Sequence, residues 1–171
     1  DLRSDTITIP TKEMLDYMFH AKVGDDVWEE DETVKDLENY LASLFSKEAG
    51  LFCPSGTMTN QIAIRVHTKM GDEVICDRLS HIYNYEGGGM ASNSGVSTRL
   101  IEGDCGRMSL DQIKNNINPD DVHFPRTRLV CLENTVNKGG GVCYGYDEMR
   151  DISEYCHQNN LMYHLDGARV F

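Results

Sequence analysis

Two stretches of the chain carry residue types at spacings that can do chemistry. One is Pro54-Ser55-Gly56-Thr57, followed by Met58, Ile62 and Val66 at helical spacing. Gly56 lets a ligand approach the backbone closely. Ser55, Thr57 and Thr59 bring hydroxyl groups to the first turn. A helix start with free N–H groups and small hydroxyl residues suits a phosphate. The same letters also describe an ordinary capped turn. The other stretch is His164-Leu165-Asp166-Gly167-Ala168-Arg169. Asp166 closes an apolar run, where a carboxylate must pair with a cation or incur a large desolvation cost. Arg169 is the local candidate for a salt bridge. A protonated pyridine nitrogen is the functional one, because that ion pair keeps a pyridine ring a strong electron sink for carbanion chemistry on an amino acid.

Two histidines join these stretches. His81 lies four positions beyond the apolar run Glu73-Val74-Ile75-Cys76-Asp77. It reads either as a satisfied core histidine or as a flat stacking surface with a polar edge. His123, in Asp120-Asp121-Val122-His123-Phe124, reads on its own as a loop histidine. His20, His67 and His157 fall in helical stretches and receive no role. Asp25-Asp26 is a solvated loop rather than a metal site, since adjacent carboxylates point different ways and no third ligand is suitably spaced. No metal is expected.

Helices and short strands must position these groups. Pro10 is expected to open a helix with Met14, Leu15, Met18 and Phe19 on one face, ending near Gly24. Asp31 or Thr33 caps a second helix carrying Val34, Leu37, Leu41, Leu44 and Phe45. The helix after Gly56 is expected to run to about Met70. Strands are expected at Glu73–Asp77, Val96–Ile101, Arg128–Thr135 and Leu161–Asp166. A small helix carries Leu110, Ile113 and Ile117. Asp147 is expected to cap a helix with Met149, Ile152 and Cys156 inward. Gly87-Gly88-Gly89 marks a place where backbones pass closely. It lacks the preceding strand of a dinucleotide fingerprint. Helices alternating with apolar strands give an α/β fold with a mostly parallel sheet, whose functional loops lie at the strands' carboxyl ends.

Composition narrows the class. The chain has 171 residues, of which 40% are hydrophobic and 26% charged, as expected of a globular domain with a real core. A net charge of −12 argues against a nucleic-acid partner. No apolar run approaches the ~20 residues of a membrane helix, and no signal peptide is visible. The six cysteines form no Cys-x-x-Cys pair. Cys53, Cys76, Cys131 and Cys156 lie in apolar segments and read as buried free thiols of a reducing compartment, so a cytoplasmic location is expected.

Taken with Leu2-Arg3-Ser4-Asp5-Thr6, Val23-Gly24-Asp25-Asp26-Val27, Ser80-His81-Ile82, Glu86-Gly87-Gly88 and Leu132-Glu133-Asn134-Thr135, the two stretches resemble the low-specificity threonine aldolases from one end of the chain to the other. The resemblance implies the fold-type I, aspartate aminotransferase-like architecture and pyridoxal 5′-phosphate as cofactor. It implies that Ser55, Gly56 and Thr57 form the phosphate cup, that His81 stacks over the pyridine ring and takes part in catalysis, and that Asp166 pairs with the ring nitrogen. Arg169 would lie by the ring hydroxyl and the substrate carboxylate, which Ser4 helps to hold. His123 would approach the substrate's side-chain hydroxyl as a second catalytic histidine. Glu86 matches a carboxylate near the site, without a clear role. Trp28-Glu29 stands where the family usually has Tyr-Gly, which bears on substrate size.

The expected activity is cleavage of L-threonine and L-allo-threonine to glycine and acetaldehyde by a homodimer or homotetramer. Another fold-type I lyase, a serine hydroxymethyltransferase-like enzyme, or a non-catalytic module binding a phosphorylated ligand are the alternatives. The chain is expected to comprise the N-terminal arm and most of the cofactor-binding domain. It would stop before the cofactor-bearing lysine and the small C-terminal domain, so that these residues alone are inactive. Within the chain, Lys138 in Asn137-Lys138-Gly139-Gly140 is the one loop candidate for that lysine.

Overall fold

The computed structural model describes residues 5–170 and divides into two units, 1–52 and 53–171. Ser4 lies outside the described residues. In the first unit a short 3-10 turn, Asp5–Ile7, precedes helix α1 (Lys12–His20), and a second such turn, Asp26–Trp28, precedes α2 (Glu32–Leu44). Thr11, not Pro10, caps α1 by accepting from the Met14 N–H. Asp31 caps α2 by accepting from Val34, and its other oxygen takes the Gly24 N–H at 3.1 Å. Asp25 turns its carboxylate onto the Val27 N–H at 2.9 Å, so the Asp25-Asp26 pair does serve a loop. Val27 and Trp28 stand out from it, 85% and 74% exposed.

The second unit is an open sheet of four parallel strands in the order β2-β1-β3-β4, with β1 Glu73–Asp77, β2 Ser97–Ile101, β3 Thr127–Glu133 and β4 Met162–Asp166. Every residue of β1 is buried, as happens when helices cover both faces of a parallel sheet. The two-residue period of a strand sorts the core. Val74, Cys76, Leu129 and Cys131 pack on one face with Ile64, Ile82 and Met90, from α3 (Gly56–His67), α4 (His81–Asn84) and α5 (Gly89–Ser94). Ile75, Val130 and Leu132 pack on the other with Ile113 and Ile152, from α6 (Leu110–Lys114) and α7 (Tyr146–Gln158).

Several boundaries differ from the sequence reading for local reasons. Helix α3 ends at His67 because Thr68 turns extended and its hydroxyl donates to the Ile64 carbonyl at 2.7 Å. Gly145 occupies the cap of α7, whose Glu148 reaches back to the Gly145 N–H at 2.7 Å. Asp147 therefore lies inside the first turn rather than at the cap. Helices α4 and α5 are too short to show a period in the sequence. Of the three adjacent glycines only Gly89 meets a close neighbour: a Cβ there would fall 2.4 Å from the Gln61 Oε1. All six cysteines are free, and Cys53 is only partly buried. Burial pushes the Cys76 thiol up to about 12 and the Cys156 thiol up to about 11. Among the described residues no helix is long and apolar enough to cross a membrane.

Candidate active site

The chain runs from β1 outward to β2, then returns to the other side of β1 for β3 and β4. The turning point lies between β1 and β3, and open α/β sheets bind ligands in the crevice at the carboxyl ends of such strands. This is where the polar groups collect. In-register pairing sets Glu133, the last residue of β3, beside Asp166, the last of β4. His164 and Asp166 share the face of β4 that meets α3. The loop after β1 brings in α4, whose first N–H, that of His81, donates to Glu133 Oε2 at 2.7 Å.

Helix α3 knits these ends together. Asn60 Nδ2 donates to Asp166 Oδ2 at 2.9 Å and to Glu86 Oε1 at 2.8 Å, and Asn60 Oδ1 meets His164 Nε2 at 2.9 Å. Gln61 Nε2 donates to Glu86 Oε2 at 2.6 Å. The Glu86 side chain is 0% exposed, and its Oε1 also meets His81 Nδ1 at 3.0 Å. Flipping the Asn60 amide would set its oxygen against two carboxylates, so the orientation is dictated by its neighbours. His81, Glu86 and Asp166 bring one ligand atom each within 4.8 Å of one another. The Asn60 amide group already donates to both carboxylates of that trio, so the cluster is a hydrogen-bonded network here.

Electrostatics follow from burial. Desolvation raises the Glu133 carboxyl above its usual range, opposed by the N–H groups of Asn137 and His81 and reinforced by Asp166. Burial lowers the His164 imidazole, opposed by the nearby Asp166 charge. With carboxylates this close on one strand edge, the crevice favours a cationic group, and a protonated pyridine nitrogen at Asp166 meets that requirement. The start of α3 supplies the complementary feature. Ser55 caps it by accepting from Met58 N–H at 3.2 Å, and the Thr59 hydroxyl turns back to the Gly56 carbonyl at 2.6 Å. The Gly56 and Thr57 amides, as the first two of the helix, have no intrahelical acceptor. A Cβ built at Gly56 meets nothing within 4 Å, so the helix end faces open space. Donors of this kind fit a phosphate group. A hollow of about 470 Å³ runs from Ser55 and Thr57 along the outer face of α3 to Arg65 and Val66, without reaching His81 or Asp166.

The structure thus brings together Ser55, Gly56 and Thr57 on one helix start, and His81 and Asp166 across one network that includes that helix. Arg169 is half-buried just past β4, in a turn closed by Val170 N–H on the Gly167 carbonyl at 3.2 Å. His123 is not brought to this edge by its own chain. It precedes β3, at the amino-terminal side of the sheet, 84% exposed and bonded through Nδ1 to Asp121 at 2.8 Å. Lys138 is exposed, with its ammonium 5.0 Å above the Tyr85 ring, which lies 5.5 Å from the His81 ring. The sequence reading gives no role to Asn60, Gln61, Glu133 or His164, although Glu133 and His164 stand within two of its motifs. The structure buries Asn60 and Gln61 on α3, beside Ile64.

The chain has the α/β fold of the fold-type I enzymes, here an open parallel sheet with helices on both faces and a polar crevice at its switch point. A putative L-allo-threonine aldolase from Listeria monocytogenes superposes on 95% of this chain and 45% of its own length, with TM-score 0.74 and 26% identity. An aromatic aminotransferase from Pyrococcus horikoshii shares the fold over 65% of this chain and 28% of its own, with TM-score 0.52 and 14% identity. Within that class the chain belongs to the beta-eliminating lyase family, whose model matches residues 1–171. The whole chain is 42% identical to 51% of the low-specificity L-threonine aldolase of Escherichia coli O157:H7, and 41% identical to 44% of that of Saccharomyces cerevisiae. It spans about half the length of the curated relatives it matches.

Proposed function

We propose that the protein to which these residues belong is a pyridoxal-phosphate-dependent aldolase that cleaves L-threonine and L-allo-threonine to glycine and acetaldehyde. The observation that supports this most directly is the network joining His81, Glu86, Asn60 and Asp166 at the switch point of the sheet. In this reading Asp166 holds the protonated ring nitrogen, His81 lies against the ring, and Ser55, Gly56 and Thr57 take the phosphate. Arg169 and Ser4 hold the substrate carboxylate. When bound, the cofactor supplies an electron sink for breaking the Cα–Cβ bond. The chain's own contribution is to orient that ring through Asp166 and to offer the His81 imidazole as a proton acceptor for the substrate's hydroxyl. His123 is assigned to the same hydroxyl on resemblance alone.

The proposal extends to a homodimer or homotetramer, a reading supported by the apolar Val27 and Trp28 exposed on the first unit. It also places the protein in the cytoplasm, which the six free cysteines suit. Glycine release from allo-threonine, set against pyruvate release from serine, tests the activity. Glycine from either threonine isomer is expected, and its absence from both overturns the aldolase reading. Sedimentation as a monomer at micromolar concentration would overturn the assembly.

A further inference from the structure

The geometry points to Glu86 as a positioning residue that fixes His81 in one tautomer, with the proton on Nδ1 and the lone pair on Nε2. Three N–H donors converge on the Glu86 carboxylate: His81 Nδ1 at 3.0 Å, Asn60 Nδ2 at 2.8 Å and Gln61 Nε2 at 2.6 Å. The two amides are themselves oriented, Asn60 by His164 and Asp166, and Gln61 by Asn93 Nδ2, which donates to its Oε1 at 3.2 Å. Neither amide can turn an oxygen towards Glu86 without losing these partners and opposing a negative charge. An ionised carboxylate is an acceptor only, so His81 Nδ1 must donate. A neutral imidazole then carries its lone pair on Nε2, the atom a proton acceptor needs.

The backbone of His81 is held as well. The His81 N–H donates to Glu133 Oε2, so two buried carboxylates, on the loop before α5 and at the end of β3, hold one histidine. Gly89 is required as well, since a side chain there would displace the Gln61 amide from Glu86. The arrangement parallels the general rule that a histidine's working nitrogen is set by the hydrogen bond its other nitrogen makes.

What His81 faces rests on the aldolase reading above, but its tautomer does not. The test is imidazole 15N NMR on the protein without cofactor or substrate, with His81 assigned by its loss in His81→Asn. We expect the Nδ1–H form in the native protein and its loss in Glu86→Ala, with recovery in Glu86→Gln, whose amide oxygen can still accept. A native protein in the Nε2–H form overturns the proposal, as does a folded Glu86→Ala protein that keeps Nδ1–H. If Glu86→Ala does not fold, the native spectrum decides alone. In the aldolase assay Glu86→Ala should lower kcat about 10- to 100-fold with KM little changed. An inactive native protein that shows Nδ1–H would remove the aldolase reading and leave the assignment of Glu86 standing.

Discussion

The two edges of one sheet treat the same side chain in opposite ways. At the amino edge, Glu73 opens β1 and is 4% exposed. Arg99 of the neighbouring strand lies 3.4 Å from its Oε2, and Asn118 and Thr127 donate to Oε1 at 3.0 and 3.2 Å. That carboxylate has an arginine and two neutral donors, as a structural ion pair requires. At the carboxyl edge, Glu86 takes its hydrogen bonds from two amides and a histidine, and Glu133 from the backbone N–H groups of His81 and Asn137. Buried carboxylates satisfied by neutral donors keep a field that attracts a cation from outside, while one satisfied by arginine does not. The difference separates a joint of the fold from a place built to receive something.

The largest effect expected from this comparison lies at Asp166. Asp166→Asn retains an oxygen for the Asn60 amide but removes the charge that would hold a protonated ring nitrogen. Losing one partner of such a pair costs about 3–5 kcal/mol, so cofactor affinity should fall on the order of 100- to 5000-fold. Spectroscopic titration with pyridoxal phosphate reads this directly. Unchanged affinity would erase the distinction between the edges. Glu73→Gln should do the reverse. It weakens the Arg99 pair, itself partly solvated, and should cost about 1–3 kcal/mol in urea unfolding while cofactor affinity stays as it was. A loss of cofactor at Glu73 would show that the two edges are not independent.

A third outcome concerns pH. Burial lowers the folded-state pKa of His164 below its ordinary 6.5. Between those two values the unfolded chain binds a proton that the folded one excludes, so stability must fall as pH drops below about 6.5 and level off under the folded pKa. The slope from one such group is at most about 1.4 kcal/mol per pH unit. His164→Gln, whose amide can still donate to Asn60 Oδ1, should flatten that part of the stability curve. Glu133 contributes with the opposite sign, since its raised folded pKa costs stability as pH rises above 4.5. A His164→Gln curve with the same slope through pH 6 as the native protein would contradict the lowered His164 pKa.

Much of the fold was legible in the sequence because apolar runs and helical periods report burial directly. The four strands appear where Glu73–Asp77, Val96–Ile101, Arg128–Thr135 and Leu161–Asp166 promise them, each within a few residues. Helices α4 and α5 were not legible, being held by Ser80, Glu86 and Gly88 carbonyls in a tight loop rather than by an apolar stripe. Of the site, Asp166 and Gly56 could be read because each stands at the end of an element. Asn60 and Gln61 could not, since their partners lie 26 and 25 residues away at Glu86, and for Asn60 also 106 away at Asp166. His123 shows the limit of a motif: only the resemblance gives it a role, and its own chain leaves it at the edge where Glu73 sits.

The smallest effect tests whether the start of α3 belongs to the carboxyl edge in function as it does in position. Asn60, in the second turn of α3, reaches Asp166, while the carbonyl of His67 at the helix's other end accepts from Arg128 Nε at 3.3 Å, near the start of β3. The helix therefore runs from one edge to the other, with its positive end at the crevice. Gly56→Ala adds one methyl group where nothing lies within 4 Å, at a helical position where alanine is favoured over glycine by up to about 1 kcal/mol. Thermal unfolding should be unchanged or slightly improved. If a phosphate occupies that space, the same methyl group obstructs it, and affinity for pyridoxal phosphate should fall while affinity for pyridoxal, which lacks the phosphate, should not. Ser55→Ala provides the contrast, since it removes the cap and should cost about 1 kcal/mol of stability. Stability and affinity moving apart at Gly56 would mark the helix start as a binding surface. Full phosphate affinity in Gly56→Ala would return it to the status of an ordinary capped turn.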